Sequence, residues 1–352
     1  MTESPTIPCV VEEPLAQGPT PSVLGAAVLG LAVAIGLLAS FVAWESAFGH
    51  LGHLAGHSLA SREMLGPRIA LTVIGLTGFL VGSHAYGRRA LVRDVGELAS
   101  LLRCSAQERA ALAREAQGSS RRTGSWIGSV AAVPLGLLVV TGRDPSVPYL
   151  LSDEPWSHDI VWALGCNALL FAILGRIAVQ TWRTNQLFAR VEAQLGSVDL
   201  LRPAALVPFA RRGLRSAFLW IGGSSIASII FVTQDFSWLT GFVLAGTLGI
   251  GTLAFLLPMR GLHRRLWATK EAELERVRAA IERARSELLD GSGASAQALR
   301  MPALLAYEQR IAAAPEWPLD APQIARFALV LALGLGSWVG GAVIDHLIDA
   351  FW

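Results

Sequence analysis

The sequence predicts an all-α fold, a polytopic transmembrane bundle of about seven helices with a cytoplasmic helical hairpin, and three observations predict it. The chain of 352 residues is 53% hydrophobic and only 16% charged, with a mean hydropathy of +0.48, whereas about a quarter of the residues of a soluble domain are charged. Its apolar residues gather into windows of about 20, the length a helix needs to cross roughly 30 Å of hydrocarbon with its backbone polar groups bonded internally. Trp44, Trp126, Trp162, Trp182, Trp220, Trp238 and Trp352 stand near the window ends, where amphipathic rings settle at headgroup level.

Taken in order, residues 1–20 carry Glu3, Glu12 and Glu13 without a basic residue, so they read as a disordered tail and not as a signal peptide. Spans are expected at 22–44, 68–86, 125–142, 159–181, 216–233, 238–258 and 325–349. The region 21–258 is thus a six-span bundle, 259–323 a hairpin and 324–352 the seventh span.

Arginine sets the orientation, since basic loops stay on the cytoplasmic side. Loop 87–124 holds eight arginines, 182–215 six, and 259–326 ten together with Lys270, while the opposite loops hold only Arg62, Arg68 and Arg143. This places the chain in a plasma (inner) membrane, N-terminus cytoplasmic and C-terminus outside. The tail without basic residues fits that side badly and would suit a first helix that re-enters. A retinal Schiff base would need a lysine within a span, and Lys270 is not in one. Nucleic-acid binding is not implied by a net charge of +2. Cys9, Cys104 and Cys166 are too few and too scattered for a disulfide framework or a cysteine metal knuckle.

Between the spans lie amphipathic segments. In 89–116 the stripe is Leu91, Val95, Leu98 and Leu102; in 183–198 it is Leu187, Val191 and Leu195. Residues 266–290 place Trp267, Lys270, Leu274, Val277, Ile281, Ala284 and Leu288 at spacings of three and four over about three heptads, a coiled-coil-like pattern. "GSG" at 291–293 breaks it, and Met301, Leu305, Glu308 and Ile311 resume it. Such stripes pack on one another, lie on headgroups or dock a partner, and register alone does not separate these.

Residues 255–277, "FLLPMRGLHRRLWATKEAELERV", and 307–338, beginning "YEQRIAAAPEWP", resemble a pattern in prokaryotic polytopic membrane proteins of unassigned activity. There a Leu-Leu-Pro span end leads into a Gly-x-His-Arg-Arg helix, a hairpin, a Pro-x-Trp-Pro segment and a last span. Pro258, Gly261, His263, Arg264, Arg265, Glu316, Trp317, Pro318 and Asp320 carry the resemblance, over about a quarter of the chain. It implies a membrane protein and brings no catalytic residues. Turn chemistry accounts for "PEWPLDAP" without it, since its prolines forbid continuous helix.

Chemical signals are sparse. No Gly-x-Ser-x-Gly elbow, phosphate loop or HExxH helix occurs. No span has a central acid or lysine; Arg176 can snorkel, and helix packing accounts for Asn167. Glycine-rich faces at 221–228, 246–251 and 334–341 favour close helix association.

One polar cluster stands out, "FGHLGHLAGH" at 48–57, with His50, His53 and His57 on one helical face. His50 and His57 are about 10.5 Å apart along a helix axis, too far to share an ion whose Zn–N bonds are about 2.1 Å. An adjacent pair, completed by Asp345, His346 or Asp349 from the seventh span's end, would bind a divalent metal or titrate near neutrality. No other cofactor is expected. The primary expectation is a non-enzymatic structural or interaction component of a membrane complex, in contact with the bilayer and with a second copy or a partner membrane or cytoplasmic protein. The alternatives are an oligomeric ion channel or transporter gated by its cytoplasmic helices, and a metal-dependent membrane enzyme using the outer histidines.

Overall fold

The fold is known from a computed structural model, which describes residues 22–49, 65–118, 122–140, 148–153, 155–196, 200–201, 206–231, 238–289, 294–317, 322–334 and 336. The described residues are helical, apart from turns and one isolated bridge between Leu102 and Leu195. In chain order they form α1 (Val23–Ala47), α2 (Leu65–Leu98), α3 (Ala106–Gly118), α4 (Arg122–Val139), α5 (His158–Ala193), α6 (Val207–Ala227), α7 (Trp238–Leu289), α8 (Ala294–Ala312) and α9 (Pro322–Gly334).

Three of these, α1, α2 with the short turn after it, and α5, are long and apolar enough to cross a membrane. Ser125–Val139 in α4 and the whole of α9 are apolar but shorter. Large aliphatic side chains point outward along α1 and α4, Leu24 and Val130 among them at 76% and 69% exposure. A soluble protein would bury such a surface, and lipid takes its place here.

The helices do not stop where the apolar windows stop. The windows expected at 68–86, 159–181 and 238–258 all run on into arginine-rich sequence as one helix, through Leu98, Ala193 and Leu289. At 1.5 Å per residue α2, α5 and α7 are about 51, 54 and 78 Å long, well beyond roughly 30 Å of hydrocarbon. The reason is local. Leu, Ala, Arg and Glu are all good helix formers, so composition changes without a break, and α7 passes through Pro258 and Gly261 still helical.

Close approach of backbones holds the apolar part together. A Cβ on Gly30 of α1 would lie 2.5 Å from the Gly78 carbonyl oxygen of α2, and one on Gly78 would lie 2.6 Å from that of Gly30. Between α4 and α5, a Cβ on Gly128 would meet the Gly175 oxygen at 2.6 Å. These small-residue contacts lie outside the three faces expected from the sequence. In those, Gly251 and Gly334 pack on Ile221 and Gly222 on the Phe79 ring, while Gly246, Gly249 and Gly336 face open space. Asn167 is buried and donates from Nδ2 to the Ala163 carbonyl 2.9 Å away in its own helix.

At the arginine-rich end a second core forms, here called the basic-end layer. Leu91, Val95, Leu98, Leu102, Leu187, Val191 and Leu195, the stripes of the two amphipathic segments, lie in one buried cluster with Phe209 of α6, Leu262 and Leu266 of α7 and Ile311 of α8. The stripes therefore pack on one another. Along α7, Val277 and Ala284 are buried, while Trp267 is half exposed. In α8 Ile311 is buried and Met301 and Glu308 are partly buried, but Leu305 is 44% exposed and its neighbour Leu304 is partly buried instead. α8 runs antiparallel to α7, with Tyr307 Oη donating to Glu273 at 3.2 Å and Arg278 Nε to Glu308 at 2.8 Å.

Candidate functional site

The expected metal residues, His50, His53, His57, Asp345, His346 and Asp349, lie outside the described residues. What is described is the end of the bundle that leads into the histidine run. There Trp44 Nε1 of α1 donates to the His158 carbonyl at 2.9 Å, and Phe48 stacks on the His158 imidazole with centroids 4.5 Å apart. This fixes the start of α5 against the end of α1, two residues before His50.

Glu45, His158 and Asp159 converge at that junction, with one potential ligand atom each and all three within 4.8 Å of one another. Glu45 is buried, Asp159 is exposed, and His158 Nε2 lies 2.7 Å from Asp159 Oδ1. Tetrahedral zinc with bonds of about 2.1 Å brings its ligand atoms to about 3.4 Å from one another. The trio therefore has the donor chemistry for a divalent ion, but His158 and Asp159 stand closer than two ligands of one ion and would have to separate to hold it.

The densest polar site lies at the other end. Asp94 of α2 has no exposure at all, and Arg215 of α6 donates from Nη2 to its Oδ2, with Arg211 Nη1 3.9 Å from Oδ1. One turn on, Glu97 accepts from Arg211 and from Arg93 Nε, the latter at 2.7 Å. The neighbouring Arg212 is buried, lies 4.3 Å over the Phe188 ring and donates to Asn185 Oδ1, while its Nε has no hydrogen-bond partner. Burial lowers the Arg212 guanidinium to about 10; the Arg215 charge adds to the shift and Asp94 opposes it.

Above this network the bundle holds a cavity of about 760 Å³ between α1, α2, α5, α6 and α9. Its wall is mainly apolar, and most of its polar residues gather where α2, α5 and α6 enter the basic-end layer. Neither cavity nor network was expected from the sequence. The signal available was the pair of i,i+3 and i,i+4 spacings, Asp94 with Glu97 and Arg211 with Arg215, which put each pair on one helical face.

The residues of the Gly-x-His-Arg-Arg and Pro-x-Trp-Pro segments meet each other. His263 stacks on Trp317, centroids 4.2 Å apart and planes 12° from parallel, and its Nδ1 lies 2.8 Å from the Glu316 carbonyl oxygen. Lys270 Nζ donates to the Ala314 carbonyl at 3.0 Å and to Glu316 Oε1 at 3.2 Å. Arg265 donates to the carbonyls of Glu192 and Leu195 at the end of α5, satisfying acceptors a helix terminus leaves open. These residues fasten helices. No family model matches this sequence, and no match is found among curated proteins or solved structures.

Proposed function

We propose that the chain is a non-enzymatic structural or interaction component of a membrane, built of about seven spans in the plasma (inner) membrane. Its basic-end layer and N-terminus lie in the cytoplasm and its C-terminus outside. One observation carries the reading: α2, α5, α6 and α7 each contribute to the apolar bundle and also to the buried core of the basic-end layer. A partner bound to the layer is thereby coupled to the membrane part through continuous helices, with no flexible linker between.

Charge supports the orientation, because the layer carries most of the arginines and cytoplasmic loops are the basic ones. The surface offered to a partner is the outer face of α7 and α8, where Trp267, Leu305 and Tyr307 are 50%, 44% and 36% exposed. Aromatic anchors of this kind dominate protein contacts.

The test is photo-crosslinking in intact membranes from benzoylphenylalanine placed at Trp267 or Leu305. A discrete protein adduct at both positions, absent with the same probe at lipid-facing Val130, is expected. Adducts to lipid alone would overturn the reading, and so would ion flux through the purified chain in proteoliposomes.

A further inference from the structure

The cavity between α1, α2, α5, α6 and α9 has a charge distribution that the packing of the helices does not explain. Arg88, Arg212, Arg215 and Arg326 line it together with His84, and among the described residues no carboxylate does. Arg215 is matched by Asp94 behind it. Among the described residues Arg88 and Arg326 form no ion pair, and Arg212 is 94% buried by its 6% exposure, with its Nε unmatched. Of the three, Arg212 is buried, Arg88 is half-buried and Arg326 is exposed, and a buried cation without an anion is unfavourable.

We propose that this cavity binds an anionic phospholipid, with the phosphate on Arg88, Arg212 and Arg326 and the acyl chains along the α1–α2 wall. The guanidinium fork matches phosphate oxygens two at a time, which suits arginine over lysine at such a place. Gln180 and Thr181 of α5 also line the cavity, with amide and hydroxyl groups that suit a glycerol ester.

Two features select a lipid over a soluble anion. The far wall is apolar, formed by Gly30, Ala34, Gly78 and Leu329 among others, and a free phosphate has no use for it. Val23 and Leu31 line the cavity and are also 67% and 62% exposed, so its wall continues into the lipid-facing surface of α1 and gives the chains a lateral exit. A volume of about 760 Å³ lies within the range of small-molecule pockets, roughly 300–1,000 Å³, and holds a headgroup with the upper part of its chains. Basic pockets between membrane helices hold anionic headgroups on the same physical grounds.

The experiment uses the full chain purified in a neutral detergent, then supplied with phosphatidylglycerol, phosphatidylcholine or inorganic phosphate. Bound phospholipid is read by native mass spectrometry, and thermal unfolding is followed in parallel. Expected are at least tenfold preferential retention of phosphatidylglycerol, a rise in Tm with that lipid alone, and no competition from millimolar inorganic phosphate.

The double variant R88Q/R326Q removes two cations that form no ion pair among the described residues, so it should fold and lose the preference. Gly87 lines the cavity and a Cβ there meets nothing within 4 Å; Gly87→Leu should fill the space and abolish retention without lowering the lipid-free Tm. Equal retention of the two lipids, an unchanged double variant, or displacement by phosphate would each overturn the proposal. A protein-adduct failure in the crosslinking test above leaves these readouts unmoved, so the two proposals fall separately.

Discussion

Asp94 is a carboxylate with no exposure, and it is tolerated because Arg215 and Arg211 of α6 reach it from across the layer. Removing one member of such a buried set strands the others, at a cost of about 3–5 kcal/mol. Asp94→Ala should therefore lower the denaturant midpoint in micelles far more than Arg93→Ala, which breaks an exposed pair worth about 0–1 kcal/mol; comparable losses would show that Asp94 is not what holds α6 in place. The spacings of Asp94 with Glu97 and of Arg211 with Arg215 put each pair on one helical face, but nothing local joins the two pairs, since the partner of Asp94 is 121 residues away.

Glu108 is a local case and more legible. Ser105 N and Oγ donate to its carboxylate at 2.8 and 3.0 Å, and its own N–H donates to Ser105 Oγ at 3.2 Å, the reciprocal bonding of a capping box. These bonds hold its pKa below the ordinary 4.5. A carboxyl with a depressed folded pKa adds stability that is fully present above 4.5 and is lost as pH falls through the lower folded value. Amide protection in α3, corrected for intrinsic exchange rates, should fall below pH 4.5, and Glu108→Gln should remove that pH dependence.

At the scale of elements, sequence showed where helices are apolar and which faces are greasy, and the stripe of Leu91, Val95 and Leu98 lies in a buried core as a stripe should. It did not show that α2, α5 and α7 pass without a break from apolar window to arginine-rich segment. Hydropathy reports composition, and continuity depends on whether the backbone stays helical across the junction, as α7 does even through Pro258 and Gly261, to which a hydropathy window is blind. The small-residue contacts were missed for a related reason: Gly30 and Gly78 matter through each other, and pairing between helices has no local signature.

A prediction belongs to this scale. Gly30→Leu must displace the Gly78 carbonyl, 2.5 Å from where its Cβ would stand, and should cost at least the roughly 1–3 kcal/mol of overpacking. Gly36 lies on the same helix with open space at its Cβ, so Gly36→Leu should be close to neutral. Thermal unfolding of both variants decides, and equal effects would mean the α1–α2 approach is not close.

For the whole molecule, two cores share helices. Apolar residues of α2 and α5 make the membrane part, the same helices supply the basic-end core, and α7 and α8 close that core from one side. The histidines at 50, 53 and 57 fall beyond what is described, and the Glu45, His158 and Asp159 junction is the nearest described donor set. No spacing in the sequence joins that set, since Glu45 belongs to α1 and His158 and Asp159 to α5; their convergence comes from α1 and α5 pairing through Trp44 and Phe48. The cavity likewise needs five helices at once.

One fastening has an experimental use. Lys270 is the chain's single lysine, its side chain is only 14% exposed, and its ammonium is bound to Ala314 and Glu316. Amine-reactive reagents therefore have one side-chain target, and it sits beneath the segment that joins α8 to α9. Acylation of Lys270 should be slow in the native protein and should speed up several-fold in Trp317→Ala, which loosens the same contact; an unchanged rate would mean the segment is released already. The rarest side chain in the sequence is in this way a natural chemical clock for whether the last helix is docked, and it needs no introduced label.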